Sequence, residues 1–505
     1  MRALVTFCWV AWSATAWVPS VEAQAVEEEV EEGGAMLSPE DLAPPDAASP
    51  AEPDAREVSE PEDPVIEPAP PLDDDPIQLV LENGLRVVLQ PVPGRRFAAV
   101  GVSYAVGSGD VPSGWTGLAH LTEHLMFSGT DVLDDVAVYR RLEAAGAVVR
   151  NAITTVDRTT YYEVLPVRTM EQALWIESHR MARVLRGLDR ARLERQRDVV
   201  LHEGWERNLY GWRGVMHQQR YVGVFPEGHP YTRFVEREDD VRAIRLPHVQ
   251  WFFQQHYGPD DATLIVVGGF DVDRVRASIE RHFSPIVRSA PAPTPVAPPP
   301  VAPLPRERRI AVRIQHDRDQ VEVAWPTPAL FDDGDAALDV LSELLVERRE
   351  SPLFAGLVES GIALDLNARQ YSHDHGSVFV IAAVPARGHT TDECLAAIDA
   401  AMEQVRRQPF DAEAVERARG DWARVVRLDA EDLGARLGLL AASRGGYVPT
   451  VEHERDRYLA VDADAVARVV RDWLPADRRL VLVGRADPLA PPGAQIVSDE
   501  GRPER

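Results

Sequence analysis

Between Ser289 and Pro305 proline recurs every two or three residues, and this run constrains the fold more than any other feature of the chain. Each proline fixes its own φ, lacks a backbone N–H and biases the residue before it away from helix. The run therefore reads as an extended, polyproline-like connector rather than as part of a packed layer. It leaves stretches of similar length on either side, residues 77–288 and 307–490, so the folded part of the chain reads as two domains joined by a linker at 289–306.

The first stretch opens with two strands, 77–81 and 85–89, around Asn83-Gly84, a pair suited to a tight hairpin turn. Residues 98–106 read as a strand and 107–110 as a loop. A helix follows at 115–127, with Gly129 as its C-cap. Residues 148–165 read as paired strands, 170–185 and 191–210 as helices, 262–267 as a buried strand and 272–283 as a helix. The second stretch repeats this grammar more loosely: strands within 310–325, a helix at 334–346, a strand at 378–384, a helix at 391–406, and a strand ending in Gly484 that matches the one ending in Gly268. Two related α+β halves, each a mostly antiparallel sheet covered by helices, are the simplest account.

Charge and composition narrow the partners. Hydrophobic residues make up 45% of the chain, enough for two cores. Of the net charge of −27, residues 24–76 carry 18 acidic side chains against the single Arg56. With its repeated Pro and Ala and almost no apolar periodicity, that segment cannot offset its ordering entropy and reads as a disordered acidic tether. All 54 basic residues are Arg and none forms the dense cluster that phosphate binding needs, so nucleic acid is not the main partner. Residues 1–23, with Arg2, an apolar run and Val21-Glu22-Ala23, read as a signal peptide cut after Ala23; an uncleaved anchor is the competing reading. Cys8 lies within that segment, which leaves Cys394 alone and an internal disulfide impossible after cleavage. Export without disulfides suits a periplasmic or extracellular protein. Residues 491–505 read as a flexible tail.

The chemistry sits in His120-Leu121-Thr122-Glu123-His124, inside the 115–127 helix. At about 100° per residue both imidazoles and the carboxylate share one face, while Leu118, Leu121, Leu125 and Met126 form the opposite, core-facing one. Two imidazoles one turn apart suit zinc, Glu123 can act as a base toward water, and a third ligand must come from elsewhere. Glu203 is the candidate. It lies on the helix read at 191–210, where Val199 and Val200 are expected on the core side.

These residues resemble the pitrilysin and insulinase family of inverted-motif zinc peptidases, close to its bacterial and mitochondrial processing-peptidase-like members. The family's hallmark is His-x-x-Glu-His with a Glu ligand roughly 75 to 80 residues later. Glu203 stands 79 residues after His124. The resemblance extends to Leu81-Glu82-Asn83-Gly84-Leu85, Gly107-Ser108, Gly117-Leu118-Ala119-His120, Phe127-Ser128-Gly129-Thr130, Asn151-Ala152, Asp157-Arg158-Thr159-Thr160-Tyr161-Tyr162 and Tyr257-Gly258-Pro259, most of residues 77–285. It implies two homologous α+β halves enclosing a chamber for extended peptides. By the same resemblance His120, His124 and Glu203 bind one zinc per chain, Glu123 is the general base, and Asn151 and Ala152 lie on an edge strand that holds the substrate backbone.

Two departures from the family pattern stand out. Seven residues before the third ligand the family has a supporting Glu; here that position is Gln196, which keeps the hydrogen bonding and drops the charge. In the second half, active single-chain members place an Arg and, six or seven residues on, a Tyr that stabilises the oxyanion. Val358 and Leu364 occupy those places, and neither side chain can donate a hydrogen bond. His373 and His375, which straddle Asp374, read as loop histidines. The expectation is an exported zinc endopeptidase that borrows the Arg/Tyr pair from a metal-free homologous subunit, as a heterodimer. A self-sufficient peptidase using residues such as Arg369 or Tyr371, and a peptide-binding subunit that keeps the fold without turnover, are the competing readings. Zinc rather than manganese or cobalt rests on ligand softness and on the resemblance.

Overall fold

The structure is a computed structural model that describes residues 75–288, 297–444, 446–491 and 495–500. The signal peptide read at 1–23, the tether to residue 74, linker residues 289–296 and the end of the chain from residue 501 lie outside the described residues.

Two six-stranded mixed sheets form the frame. The first contains β1 (Ile77–Val80), β2 (Arg86–Pro91), β3 (Phe97–Tyr104), β4 (Val149–Thr154), β5 (Thr159–Pro166) and β6 (Ala262–Gly268) in the order β1-β2-β6-β3-β5-β4. The second contains β7 (Arg308–Ile314), β8 (Gln320–Thr327), β9 (Ala363–Tyr371), β10 (Ser377–Pro385), β11 (Leu480–Ala486) and β12 (Gln495–Glu500) in the order β12-β7-β11-β8-β10-β9. Position for position the two orders carry the same directions. The β2–β6 and β7–β11 pairs are parallel and every other pair is antiparallel. The first edge strand alone differs in origin, coming from the start of the first half (β1) and from the end of the second (β12). Residues 495–500, expected within a flexible tail, thus complete the second sheet by pairing with β7. The unpaired backbone groups of the β7 edge supply partners that no sequence pattern near the end of the chain announces.

The helices repeat as well. In the first half they are α1 (Leu118–Met126), α2 (Asp135–Ala144), α3 (Glu171–Gly187), α4 (Arg190–Glu206), α5 (Trp212–Val224), α6 (Glu238–Ala243), α7 (Leu246–His256) and α8 (Val272–Phe283). In the second they are α9 (Asp335–Val346), α10 (Thr391–Arg407), α11 (Ala412–Asp429), α12 (Leu433–Ala441), α13 (Val451–Leu459) and α14 (Ala463–Trp473). Helix α1 starts behind Gly117 (φ +85°) and α9 behind Gly334 (φ +94°), each following the strand in the fourth position of its sheet, β3 or β8. Against these packs α4 in the first half and α11 in the second. The C-cap of α1 is Phe127; Gly129, expected in that role, lies two residues further on in a left-handed turn that bridges to Asp134.

The halves exchange one helix each. Helix α5 lies on the second sheet, where Val215, Met216 and Tyr221 join Ile310, Val312, Leu480 and Leu482 in one core. Helix α12 lies on the first sheet, where Leu433, Leu437 and Leu440 pack on Val88, Ala99, Val164, Ile265 and Val267. The opposite face of the first sheet is closed by its own helices through Leu118, Leu121, Leu174 and Ile279. Both faces are therefore buried, which explains why all seven residues of β6 are buried and why its sequence is nearly continuously apolar rather than alternating. Full burial of a leucine side chain contributes roughly 1.5–3 kcal/mol, so the three α12 leucines bind the halves together firmly.

Polar contacts also cross the junction. Arg220 donates both arms of its fork to Glu322 at 2.8 Å, Arg158 reaches Asp374 at 2.5 Å, and the Tyr221 hydroxyl lies 2.6 Å from His373 Nε2. Linker residues Val301 and Leu304 pack against the second core, so this part of the proline-rich run follows the protein surface.

Candidate active site

Helix α1 divides as its periodicity predicts. Leu118, Leu121, Leu125 and Met126 are buried, and His120, Glu123 and His124 share the half-buried face. Helix α4 crosses behind it, anchored by Leu193, Val200 and Leu201, and presents Glu203 to the two imidazoles. Val199 does not take the core position expected of it and is 43% exposed, because one step of about 100° from the buried Val200 carries it off the packed stripe.

His120 Nε2 and His124 Nε2 stand 3.2 Å apart; Glu203 Oε2 is 3.7 Å from the first and Glu203 Oε1 3.6 Å from the second. Tetrahedral zinc holds N and O ligands at about 2.0–2.2 Å, which sets neighbouring ligand atoms at about 3.3–3.6 Å. The donor set and its spacing fit zinc held by three protein ligands. This is the one group of three or more potential metal ligands among the described residues.

Without a metal, the rings and carboxylates set one another's charge. Burial works against ionisation of Glu203, but the nearby His120 imidazole and the charges of His124 and Arg207 hold its pKa down at about 2. Arg207, one turn on, approaches Glu203 at 3.1 Å. Burial likewise works against protonation of His120, yet Glu203 and Glu236 outweigh it and raise the pKa to about 10. His124 is lowered by burial and by the neighbouring charge of His120.

The surrounding contacts hold each group in place. Gln196 lies close enough to the His124 ring to raise its pKa against burial. The His120 Nδ1–H donates to Glu236 Oε2 at 3.0 Å, and the Tyr210 hydroxyl donates to Glu236 Oε1. The Thr154 hydroxyl, on β4, donates to Glu123. Glu236, Tyr210, Thr154 and Arg207 were not singled out from the sequence. Arg207 alone left a readable signal, the i, i+4 spacing from Glu203; the others come from loops or strands distant along the chain.

Asn151 and Ala152 lie on β4, at the edge of the first sheet, paired with Tyr162 and Tyr161 on one side. The Asn151 side chain accepts from the Ala152 N–H at 2.9 Å. Thr154 is two residues on, so the edge strand and the α1 carboxylate meet directly.

The second half lacks these donors. Counted from the glycine before each helix, His120, Glu123 and His124 correspond to Ala337, Val340 and Leu341, all buried. Val358 lies in a π-helical turn, Phe354–Glu359, and Leu364 on β9 is 58% exposed. His373 is buried against Tyr221, and the His375 N–H donates to the Tyr231 hydroxyl at 3.0 Å; neither belongs to a metal group. Between α9, β9 and α11 lies a cavity of about 470 Å³ lined by Asp339, Glu343, Arg369, Tyr371 and Asp421 among others. The Arg369 guanidinium stands 5.4 Å from the centre of the Tyr371 ring.

Comparison with known proteins supplies the family context. The profile described as "Insulinase (Peptidase family M16)" matches residues 86–213, and that described as "Peptidase M16 inactive domain" matches residues 243–420. An uncharacterized zinc protease of Mycobacterium leprae is 31% identical over 205 residues, 40% of this chain and 45% of that protein. The zinc protease PqqE of Helicobacter pylori is 28% identical over 305 residues, 59% of this chain and 66% of its own length. These two alignments thus span less than two thirds of the relatives they match. An uncharacterized zinc protease of Mycobacterium tuberculosis is 28% identical over 410 residues, 79% of this chain and 91% of that one. Among solved structures, a protease from Helicobacter pylori superposes with a TM-score of 0.74 at 22% identity, over 82% of this chain and 100% of that chain. The periplasmic protease PqqL from Escherichia coli superposes with a TM-score of 0.66 at 19% identity, over 83% and 48%.

Proposed function

The chain belongs to the insulinase family, peptidase family M16, and from that premise we propose that it is an exported zinc endopeptidase that cuts extended or unfolded peptides as the metal-bearing subunit beside a metal-free homologous partner. The observation that carries the peptidase reading is the convergence of His120, His124 and Glu203 beside Glu123, with Glu123 tied to the edge strand β4.

His120, His124 and Glu203 would hold the metal. When bound, zinc would supply Lewis-acid chemistry toward the scissile carbonyl and water. The chain's own residues do the rest. The outer edge of β4 takes the substrate backbone as an added strand, which orients the peptide with weak dependence on its side chains. The Glu123 carboxylate, positioned by Thr154, accepts a proton from the attacking water and returns it to the leaving amine. Glu236 fixes the His120 ring so that its Nε2 faces the ligand position, and Gln196 lies beside the His124 ring.

The partner reading is supported by Val358 and Leu364, which give the second half no side-chain donor at the Arg/Tyr positions. A self-sufficient enzyme is supported by one observation, the Arg369–Tyr371 pair lining the second-half cavity. Export is supported by the signal-like residues 1–23 and by the periplasmic relative PqqL; no described helix is long and apolar enough to cross a membrane.

The test uses the mature chain purified alone, with an unstructured peptide mixture, with and without chelator, beside Glu123→Gln. Chelator-sensitive cleavage by a monomer that is lost in Glu123→Gln supports a self-contained metallopeptidase and rejects the partner. Zinc binding without cleavage supports the partner, and activity is then sought by adding a homologous subunit that carries the Arg and Tyr. A chain that binds no zinc rejects the whole reading.

A further inference from the structure

Helix α1 is tied to the segment before α6 by a set of contacts that end on a metal-ligand candidate. Thr116, two residues before α1, accepts the Arg237 N–H at 2.9 Å, and its own hydroxyl donates to Asp240 at 2.8 Å. These bonds fix the chain immediately after Glu236, whose side chain is 8% exposed. One Glu236 oxygen accepts from His120 Nδ1 at 3.0 Å and the other accepts from the Tyr210 hydroxyl.

Two glycines make this seat possible. A Cβ on Gly117, which has the left-handed φ of +85°, would stand 2.9 Å from Glu236 Cγ and 2.5 Å from Val241 Cγ2. A Cβ on Gly204, the residue after the candidate ligand Glu203, would stand 2.6 Å from the Tyr210 hydroxyl oxygen. Both glycines are thus required by the approach of Glu236 and Tyr210 to the site.

On the zinc-site reading above, we propose that Glu236, held by Tyr210, is the positioning carboxylate of this centre and supplies, through His120, the negative charge that Gln196 does not supply through His124. A ligating imidazole that donates its second N–H to a carboxylate is locked in ring orientation and tautomer and is a more basic ligand. Here Nδ1 is the donor, which leaves Nε2 for the metal. Gln196 lies beside the other imidazole and is neutral, and among the described residues Glu236 is the carboxylate that hydrogen-bonds an Nδ1 of the two rings. Tyr210 fixes the second oxygen of Glu236 and so prevents the carboxylate from turning away.

The test is zinc affinity, measured on the full mature chain by competition with a chromogenic chelator, alongside thermal unfolding and peptidase kinetics. Glu236→Gln is expected to weaken zinc binding 10–100-fold, and Tyr210→Phe to weaken it less. Adding Gln196→Glu to Glu236→Gln is expected to restore part of the loss by returning a carboxylate on the other ring, which a merely structural role for Glu236 does not predict. The proposal is overturned if folded Glu236→Gln binds zinc within twofold of the parent chain, or if Gln196→Glu restores nothing. If Glu236→Gln fails to fold, Tyr210→Phe decides: unchanged affinity rejects the relay and weakened affinity supports it. A parent chain that binds no zinc instead rejects the peptidase reading, an outcome distinct from all of these.

Discussion

The Thr154 hydroxyl donates to the Glu123 carboxylate, joining the edge of the first sheet to the HxxEH helix. The candidate base is therefore positioned by the same strand that presents Asn151 and Ala152. On the proposed reading, a substrate strand added to β4 would arrive in register with that carboxylate.

Removing that hydroxyl is expected to act on turnover. Thr154→Val should lower kcat about tenfold, the size of one hydrogen bond to a charged group, with zinc content unchanged and KM moved little. Thr154→Ser should stay near the parent value. Steady-state kinetics with a quenched fluorescent peptide checks this, and equal loss in the two variants would show that the hydroxyl is not the reason.

The free edge of β4 should be sensitive to the loss of a donor. Ala152→Pro removes an N–H that is bonded to the adjacent Asn151 side chain on an edge strand, so the sheet should persist while peptide binding weakens. A raised KM with an unchanged melting temperature is the expected result; an unchanged KM would place the substrate elsewhere.

Because α5 and α12 are exchanged, neither half is complete alone. Residues 77–288 expressed without the rest should fail to unfold cooperatively, since the face of the first sheet normally covered by Leu433, Leu437 and Leu440 is left bare. In the intact chain Leu437→Ala should cost about 2–5 kcal/mol. Urea unfolding of both proteins is the measurement.

His373 ties stability to pH. Burial lowers its pKa from 6.5 to about 4, so the folded chain holds it neutral while the unfolded chain takes up the proton first as the pH falls. Its contribution is complete above about pH 6.5 and is lost progressively as the pH falls to about 4, by roughly 3 kcal/mol at most. Urea midpoints for the parent chain and His373→Gln should converge across that window; parallel curves would remove His373 as the cause.

Periodicity reads most clearly where one residue class repeats on one local face. Helix α8 was legible to the residue, and α1, α9 and α10 to within a few residues, because each has an apolar stripe and clear ends. The two nearly continuous apolar strands, β6 and β11, were legible for the same reason. Helices α5 and α12 were not singled out, and neither were α2, α6, α7, α11, α13 and α14. β9 and β12 escaped because an edge strand needs only one partner and carries a weak pattern.

The candidate site divides in the same way. His120, Glu123 and His124 are set by helical geometry over five residues, and the 79-residue step to Glu203 is legible through family spacing. Sequence alone thus determined the two-half α+β plan and named the candidate ligand set and base. Only the tertiary structure decided what holds them: Glu236 behind His120, Tyr210 behind Glu236, Thr154 on Glu123, and the exchanged helices that bury both sheets. Each of these is a contact between segments far apart along the chain, and a hydrogen bond or a packed leucine depends on where folding places its partner, which no local pattern records.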